Sequence, residues 1–426
     1  MTMLSMQISK KRIKVCKQII LVLVLGLLCL TGCANEPEQQ ISLVIEDTEE
    51  EITQARWFAG HRVEGDTPLV LYVETGNGFA SIGTVAEGTW LQLEEKQPVS
   101  RWIKVEQTDW YVDATQLTLS EYKQEIVNHL VPFNENVITI ESWDLLDHRG
   151  QVLMHFDQAC EYPIYVKDQQ QIGILFQNRI LYINHDQISE IKEHQNSHEV
   201  LAKQVPVMMY HFFYDQSKGE IRKDSNFVEV TEFQQQMDAL KENDFISLTM
   251  MELDLFLDGK ANVPAKSFVI TIDDGDPSVY EYAYPVLRQS GYNATLFLIT
   301  GWLEPELPWS FIEMREAGLE LQSHSFLMHQ GGCKGMGHGG RLLCIDEEEG
   351  IADTKRSLEY VDGGFAYCYP FGDINDKAVS ILQKAGVRLA FTTEYGKVES
   401  GMNKYRLPRI RVSGGVSIEQ YINALN

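Results

Sequence analysis

The sequence predicts an α/β fold, an incomplete or distorted (β/α) barrel, preceded by small all-β units. Two textures carry this reading. From about residue 199 onward, strand-like runs alternate with helix-like stretches over about 220 residues, the pattern of a parallel α/β domain. Between Thr67 and Ile188 the chain instead runs in short alternating segments broken by Gly and Asn, the pattern of small antiparallel strands. A third segment, residues 1–32, resembles neither. The boundaries that follow are 1–32, 33–60, 61–120, 121–198 and 199–426.

The first of these opens with Lys10, Lys11, Arg12, Lys14 and Lys17, with no acid near them, and continues as an apolar run from Ile19 to Leu30. A basic start, a short apolar core and small residues at the end describe a secretory signal peptide. The run is short for a permanent span, which needs about 20 apolar residues. Its close, Leu30-Thr31-Gly32-Cys33, resembles a bacterial lipobox. That resemblance implies lipidation of Cys33, a membrane partner and a place on the extracellular face of the cytoplasmic membrane. Residues 33–60 then read as an acidic tether.

Removing residues 1–32 moves the formal net charge from −25 to −30. A surface this acidic repels phosphate and argues against a nucleic-acid partner. It serves solubility, or tolerates a cationic glycan such as a partly deacetylated amino-sugar polymer. A hydrophobic content of 44% excludes wholesale disorder. Beyond Cys16, Cys29 and Cys33, the cysteines Cys160, Cys333, Cys344 and Cys368 lack the close pairs of a structural zinc site. Cys333 and Cys344 bracket one glycine-rich loop, where either a disulfide or two free thiols fits.

Residues 61–120 hold the runs LVLYVETGNG, ASIGTVAEGTWLQL and WIKVEQTDWYV. Their ending, Trp102 to Val112, resembles the last strands of bacterial SH3-like wall modules. The ending of the next segment, Ile172 to Ile188, echoes it. Two small β-barrels in tandem are expected. Their partner is wall glycan or peptide by analogy, or they are spacers. Polar residues from Glu190 to His198 read as a linker.

In the last segment the strand-like runs are 205–211, 267–275, 294–300, 319–325, 365–371 and 389–393. Helix-like stretches such as 233–243, 281–291 and 378–386 lie between them. In such barrels the chemistry gathers at the C-terminal ends of the strands. There stand His211, the pair Asp273-Asp274 before Gly275, His324 with His329 after it, and Tyr369-Pro370-Phe371. Adjacent carboxylates are costly unless a cation neutralises one. Asp274, His324 and His329 make a two-histidine, one-carboxylate set suited to zinc, iron, cobalt, nickel or manganese. Singly, His211 is an ordinary core histidine and Asp274 a helix cap; at successive strand ends they read as a site.

VPVMMYH, TIDDG, SHSFLMH and YPFGD, in that order, resemble the polysaccharide deacetylase family, the NodB-like carbohydrate esterases of family 4. The resemblance covers Val205 to the C-terminus and is closest to the poly-N-acetylglucosamine deacetylase branch. It implies one divalent metal, zinc first, on Asp274, His324 and His329, with Asp273 as base and His211 as acid. The implied activity is metal-dependent de-N-acetylation of an extracellular N-acetylglucosamine polysaccharide, exopolysaccharide or peptidoglycan. Metal-activated water would attack the acetamide. Pro370 and Phe371 would line the groove, with a backbone N–H near Phe371 taking the oxyanion. The family's motif arginine is absent, since Cys368 stands in its place; Arg409 or Arg411 is the expected substitute for orienting Asp273. The late histidine motif is also missing, which moves the acid role to His211. Phe326, Met328 and Met336 would wall one side. His338 reads as an exposed loop residue, and Trp302 and Trp309 either stack on sugars or pack. The alternatives are a catalytically impaired glycan-binding lipoprotein, a non-haem iron oxygenase and a wall-binding module.

Overall fold

The computed structural model of the chain describes residues 57–63, 68–94, 100–116, 123–126, 129–194 and 200–426. The expected signal peptide, Cys33 and most of the expected tether lie outside the described residues. No helix among the described residues is long and apolar enough to cross a membrane.

Seven parallel strands form the C-terminal half: β1 (Val207–Tyr210), β2 (Ser267–Asp274), β3 (Thr295–Leu298), β4 (Glu320–Ser323), β5 (Ala366–Cys368), β6 (Leu389–Tyr395) and β7 (Leu407–Arg411). Each pairs with its successor, and β7 pairs back to β1, so the ring closes. Of the expected incomplete or distorted barrel, the incomplete form is ruled out: the ring is closed, at seven strands. The strand that completes it, β7, carries Pro408 and two arginines in five residues and shows no apolar alternation in sequence. Its neighbours on both sides supply the missing signal.

Alternation along β2 divides the barrel into an inner and an outer face. Val269 joins Phe297, Cys368, Phe391 and Leu407 in one buried cluster. Ile270 and Ile272 join another, packed against Phe233, Met237 and Leu240 of α1 (Val230–Glu242). Helices α2 (Met250–Leu257), α3 (Tyr284–Ser290), α4 (Trp309–Glu316), α5 (Glu347–Tyr360), α6 (Asp376–Ala385) and α7 (Ile418–Leu425) complete the domain. Helix α6 illustrates the local code. Asn375 caps its start by accepting from Ala378 N, Gly386 ends it in the left-handed region, and Ala378, Ile381, Leu382 and Ala385 are buried. That spacing is one face of a 3.6-residue period.

The N-terminal half is antiparallel. Its eleven-stranded sheet joins both β segments through the pairing of Val152–Phe156 with Gly78–Val85. One core serves both: Leu71 and Val112 cluster with Trp143 and Ile174. The polar run expected as a linker from Glu190 forms, up to Glu193, the edge strand Ile188–Glu193 on Glu135–Thr139. Its side chains after Ile188 are exposed, so it reads as polar although its backbone is paired. The two halves are joined directly. Val131 N–H donates to Asn262 O (2.9 Å), Lys167 N–H to Lys260 O (2.8 Å), and Lys260 Nζ pairs with Asp168 at 2.6 Å.

Trp143 is fully buried, stacks on Phe156 at 4.4 Å and donates its indole N–H to Gln158 O at 2.9 Å. Trp143→Ala is therefore expected to cost about 3–5 kcal/mol, read as a lowered urea midpoint. An unchanged midpoint would remove Trp143 from the shared core.

Candidate active site

At the C-terminal mouth of the barrel, β2 ends in two carboxylates with different surroundings. Asp273 points inward and is buried. Arg409, from the middle of β7, donates in parallel to its Oδ1 and Oδ2, both at 2.8 Å. The remaining guanidinium N–H groups go to Thr392 O (3.0 Å), Thr271 Oγ1 (3.1 Å) and Cys368 Sγ (2.8 Å). All five donors are used. Burial by itself would raise the Asp273 carboxyl; Arg409 outweighs it and holds the group well below the usual carboxylate range. Of the two arginines expected as substitutes, Arg409 is the one that pairs with Asp273. Arg411 faces elsewhere, donating to Asn226 Oδ1 at 2.5 Å on the cavity wall.

Asp274 turns the other way. It takes a positive φ of 77°, followed by Gly275 at 83°, so the chain bends out of the strand and both carboxylates reach the mouth. Left-handed backbone at a non-glycine residue is strained and persists only where the surroundings over-determine it. Ser325 (81°) and Phe371 (61°) repeat this after β4 and β5.

His324 follows β4 directly. Its Nδ1 lies 2.8 Å from Cys368 O, which can only accept, so Nδ1 carries a proton and, in the neutral ring a metal requires, Nε2 presents the lone pair. Nε2 of His324 is 3.4 Å and Nε2 of His329 3.5 Å from Asp274 Oδ1. That oxygen is buried without a hydrogen-bond partner. These spacings match donors shared by one small ion at about 2.0–2.2 Å from each. The set Asp274, His324 and His329 therefore fits a divalent metal. Burial and then His324 lower His329 to about 4, which favours the neutral imidazole a metal requires.

His211, just beyond β1, places Nε2 4.0 Å from Asp273 Oδ2. Burial lowers its pKa despite the two aspartates. Together with Phe371, Gly372 and His338 these side chains line a cavity of about 350 Å³. Pro370, expected beside Phe371 in the groove, is buried and does not line the cavity. Gly372 sits at φ 74°, and a Cβ there would lie 2.1 Å from Thr393 Oγ1, so only glycine brings Phe371 to the rim. An adjoining cleft of about 490 Å³ shares Phe212 and Asp274 and is lined by Tyr280, Trp302 and Trp309. Both tryptophans are about two-thirds exposed, 64% and 66%. Phe326 and Met328 are buried, whereas Met336 is exposed.

Three supports were invisible in sequence. Asp353 of α5 accepts from Phe326 N (3.1 Å) and Leu327 N (2.7 Å), bracing the turn between the two histidines. The hydroxyls of Thr300, Ser323 and Ser357 interlock beneath that turn. Asp373 holds the glycine-rich loop, whose Cys333 and Cys344 form a disulfide. Of these, only Asp373 lies in a run whose spacing draws notice, YPFGD.

Barrel and mouth together describe a class: α/β-barrel enzymes with an Asp-His-His group beside a second carboxylate. A family model described as polysaccharide deacetylase matches residues 260–390. The chain is 32% identical over 216 residues to the poly-beta-1,6-N-acetyl-D-glucosamine N-deacetylase of Staphylococcus aureus, covering 47% of this chain and 72% of that one. Among solved structures it is similar to the Streptococcus pyogenes deacetylase PplD in complex with acetate (24% identity, TM-score 0.46, covering 54% of this chain and 99% of that one). It is also similar to IcaB from Ammonifex degensii (24% identity, TM-score 0.45, covering 53% and 98%). The chain belongs to the polysaccharide deacetylase family and is an enzyme of that class.

Arg409→Met would leave Asp273 as an unpaired buried carboxylate. A loss of about 3–5 kcal/mol is expected, measured by thermal or urea unfolding. Arg409→Lys should recover part of the stability without the two-pronged grip. A neutral Arg409→Met would mean that Asp273 is solvated by another route.

Proposed function

We propose that this protein removes acetyl groups from an extracellular N-acetylglucosamine polysaccharide, exopolysaccharide or peptidoglycan, in a metal-dependent reaction. The observation that carries the reading is the division of labour between neighbours: Asp273 is clamped by Arg409 while Asp274 faces two imidazoles. Asp274, His324 and His329 would hold a divalent ion, zinc first among the candidates, which would supply Lewis acidity toward water and the acetamide carbonyl.

The Arg409 guanidinium favours the ionised form of Asp273, in which it can take the proton of the attacking water. Its depressed pKa makes it a reluctant holder, so the proton moves on readily. His211, kept neutral by burial and 4.0 Å away, is not a stored acid. It is placed to receive a proton and pass it to the departing amine, a poor leaving group unless protonated. A backbone N–H near Phe371 would meet the developing oxyanion. Acetate and a glucosamine unit leave.

The same proposal puts the enzyme on the outer face of the cytoplasmic membrane through a lipid on Cys33. It gives the N-terminal β half a wall-binding or spacer role. The rival, a decayed glycan-binding lipoprotein, rests on the missing motif arginine. Arg409 supplies a guanidinium to Asp273 from another strand, which favours the active enzyme.

Acetate release from N-acetylglucosamine oligomers by the purified chain is expected to vanish on chelation and return with zinc, cobalt or nickel. Asp274→Ala should lose both metal and activity. Asp273→Asn should keep the metal and lose about 10²–10⁴-fold in rate; full activity in that variant would sink the base assignment. No release from oligomers or peptidoglycan fragments with any metal would favour the glycan-binding rival.

A further inference from the structure

We infer that His338 is a substrate-contacting residue, hydrogen-bonding a sugar hydroxyl of the glycan at the rim of the cavity, and that Asp373 is the positioning residue that holds it there. The inference rests on the reading of the cavity as a glycan deacetylase site. It starts from a carboxylate that the proposed chemistry does not use.

The Asp373 side chain is 4% exposed and so loses most of its hydration. A buried carboxylate is stable only when its oxygens are bonded. Here its bonds converge on one loop. His338 N–H donates at 2.8 Å to Oδ1, Gly340 N–H at 2.8 Å to Oδ2, and His338 Nδ1 lies 3.0 Å from Oδ1. The approach is close enough that a Cβ on Gly337, at φ 47°, would fall 2.3 Å from Asp373 Oδ1. The Cys333–Cys344 disulfide closes the same loop from its two ends, and Gly331 bridges Gly340.

This bracing holds a side chain that is itself 72% exposed. The carboxylate only accepts, so it fixes the proton on Nδ1 and leaves Nε2 as a hydrogen-bond acceptor. The ring lines the same cavity as His211, Asp273, Asp274, His324 and His329, yet it belongs to neither group of side chains able to share an ion. An oriented acceptor at the rim of a glycan cavity matches a hydroxyl donor. Asp373 follows Phe371 by two residues, so one carboxylate links the loop to the wall that carries Phe371.

The test compares N-acetylglucosamine oligomers with 4-nitrophenyl acetate, which has no sugar, using the full chain and its variants. His338→Ala should raise KM for the oligomer about 5- to 15-fold, the worth of one hydrogen bond, with kcat far less affected. The change on 4-nitrophenyl acetate should be several-fold smaller, and bound metal should stay stoichiometric. His338→Gln, which keeps an acceptor at similar reach, should recover most of the loss. An unaltered oligomer KM in His338→Ala would overturn the inference alone. So would equal losses on both substrates, or loss of metal, since either would make His338 part of the centre's scaffold. A wild-type chain that neither binds nor cleaves the oligomer would overturn this inference together with the reading beneath it.

Discussion

The barrel mouth is organised around one buried ion pair. Asp273 and Arg409 come from β2 and β7, 136 positions apart, and both are buried, with Asp273 reaching the floor of the cavity. Neither could be buried without the other, because an isolated charge in the interior costs several kcal/mol. Their pairing demands that β7 lie beside β1 with its side chains in register with those of β2. Ring closure and the pair are therefore one constraint. Thr271 and Cys368, on β2 and β5, take the guanidinium donors that the carboxylate leaves over. Cys368 thus sits against both members of the pair, its Sγ 3.3 Å from Asp273 Oδ2 and 2.8 Å from the Arg409 guanidinium.

With Asp273 neutralised, Asp274 is free to face the histidines. The two adjacent carboxylates would otherwise repel each other at the mouth. The separation is achieved by backbone strain, since Asp274, Ser325 and Phe371 all occupy the left-handed region. Each follows a different strand of the same ring. Rigid parallel strands fix the start of each turn, and buried polar groups fix its far side. Asp353 braces the turn between the histidines; Asp373 braces the loop over it. The strain sits on a scaffold that leaves it no relaxed alternative.

The N-terminal β half is bonded edge to edge with the catalytic half through the 129–131 and 166–168 segments against 260–262. Its eleven strands share one core rather than two.

Much was legible in the chain itself. Alternating strand and helix texture implied the parallel barrel, and the strand-end positions of Asp273, Asp274, His324 and His329 implied a cation centre, because local periodicity and residue type are local properties. The helix caps at Asn375 and Gly386 are equally local. What remained hidden depends on distance along the chain. Arg409 lies on a strand whose proline and charges mask its pattern, so choosing it over Arg411 required knowing which side chain points inward. Asp353 and Asp373 matter only because folding brings backbone N–H groups from other segments to their oxygens. Closure at seven strands likewise depends on β7 finding β1, a non-local pairing that no window of sequence contains. By itself the sequence determined which chemistry was available; the tertiary structure decided which residues share an environment, since burial and pairing exist only once the ring has closed.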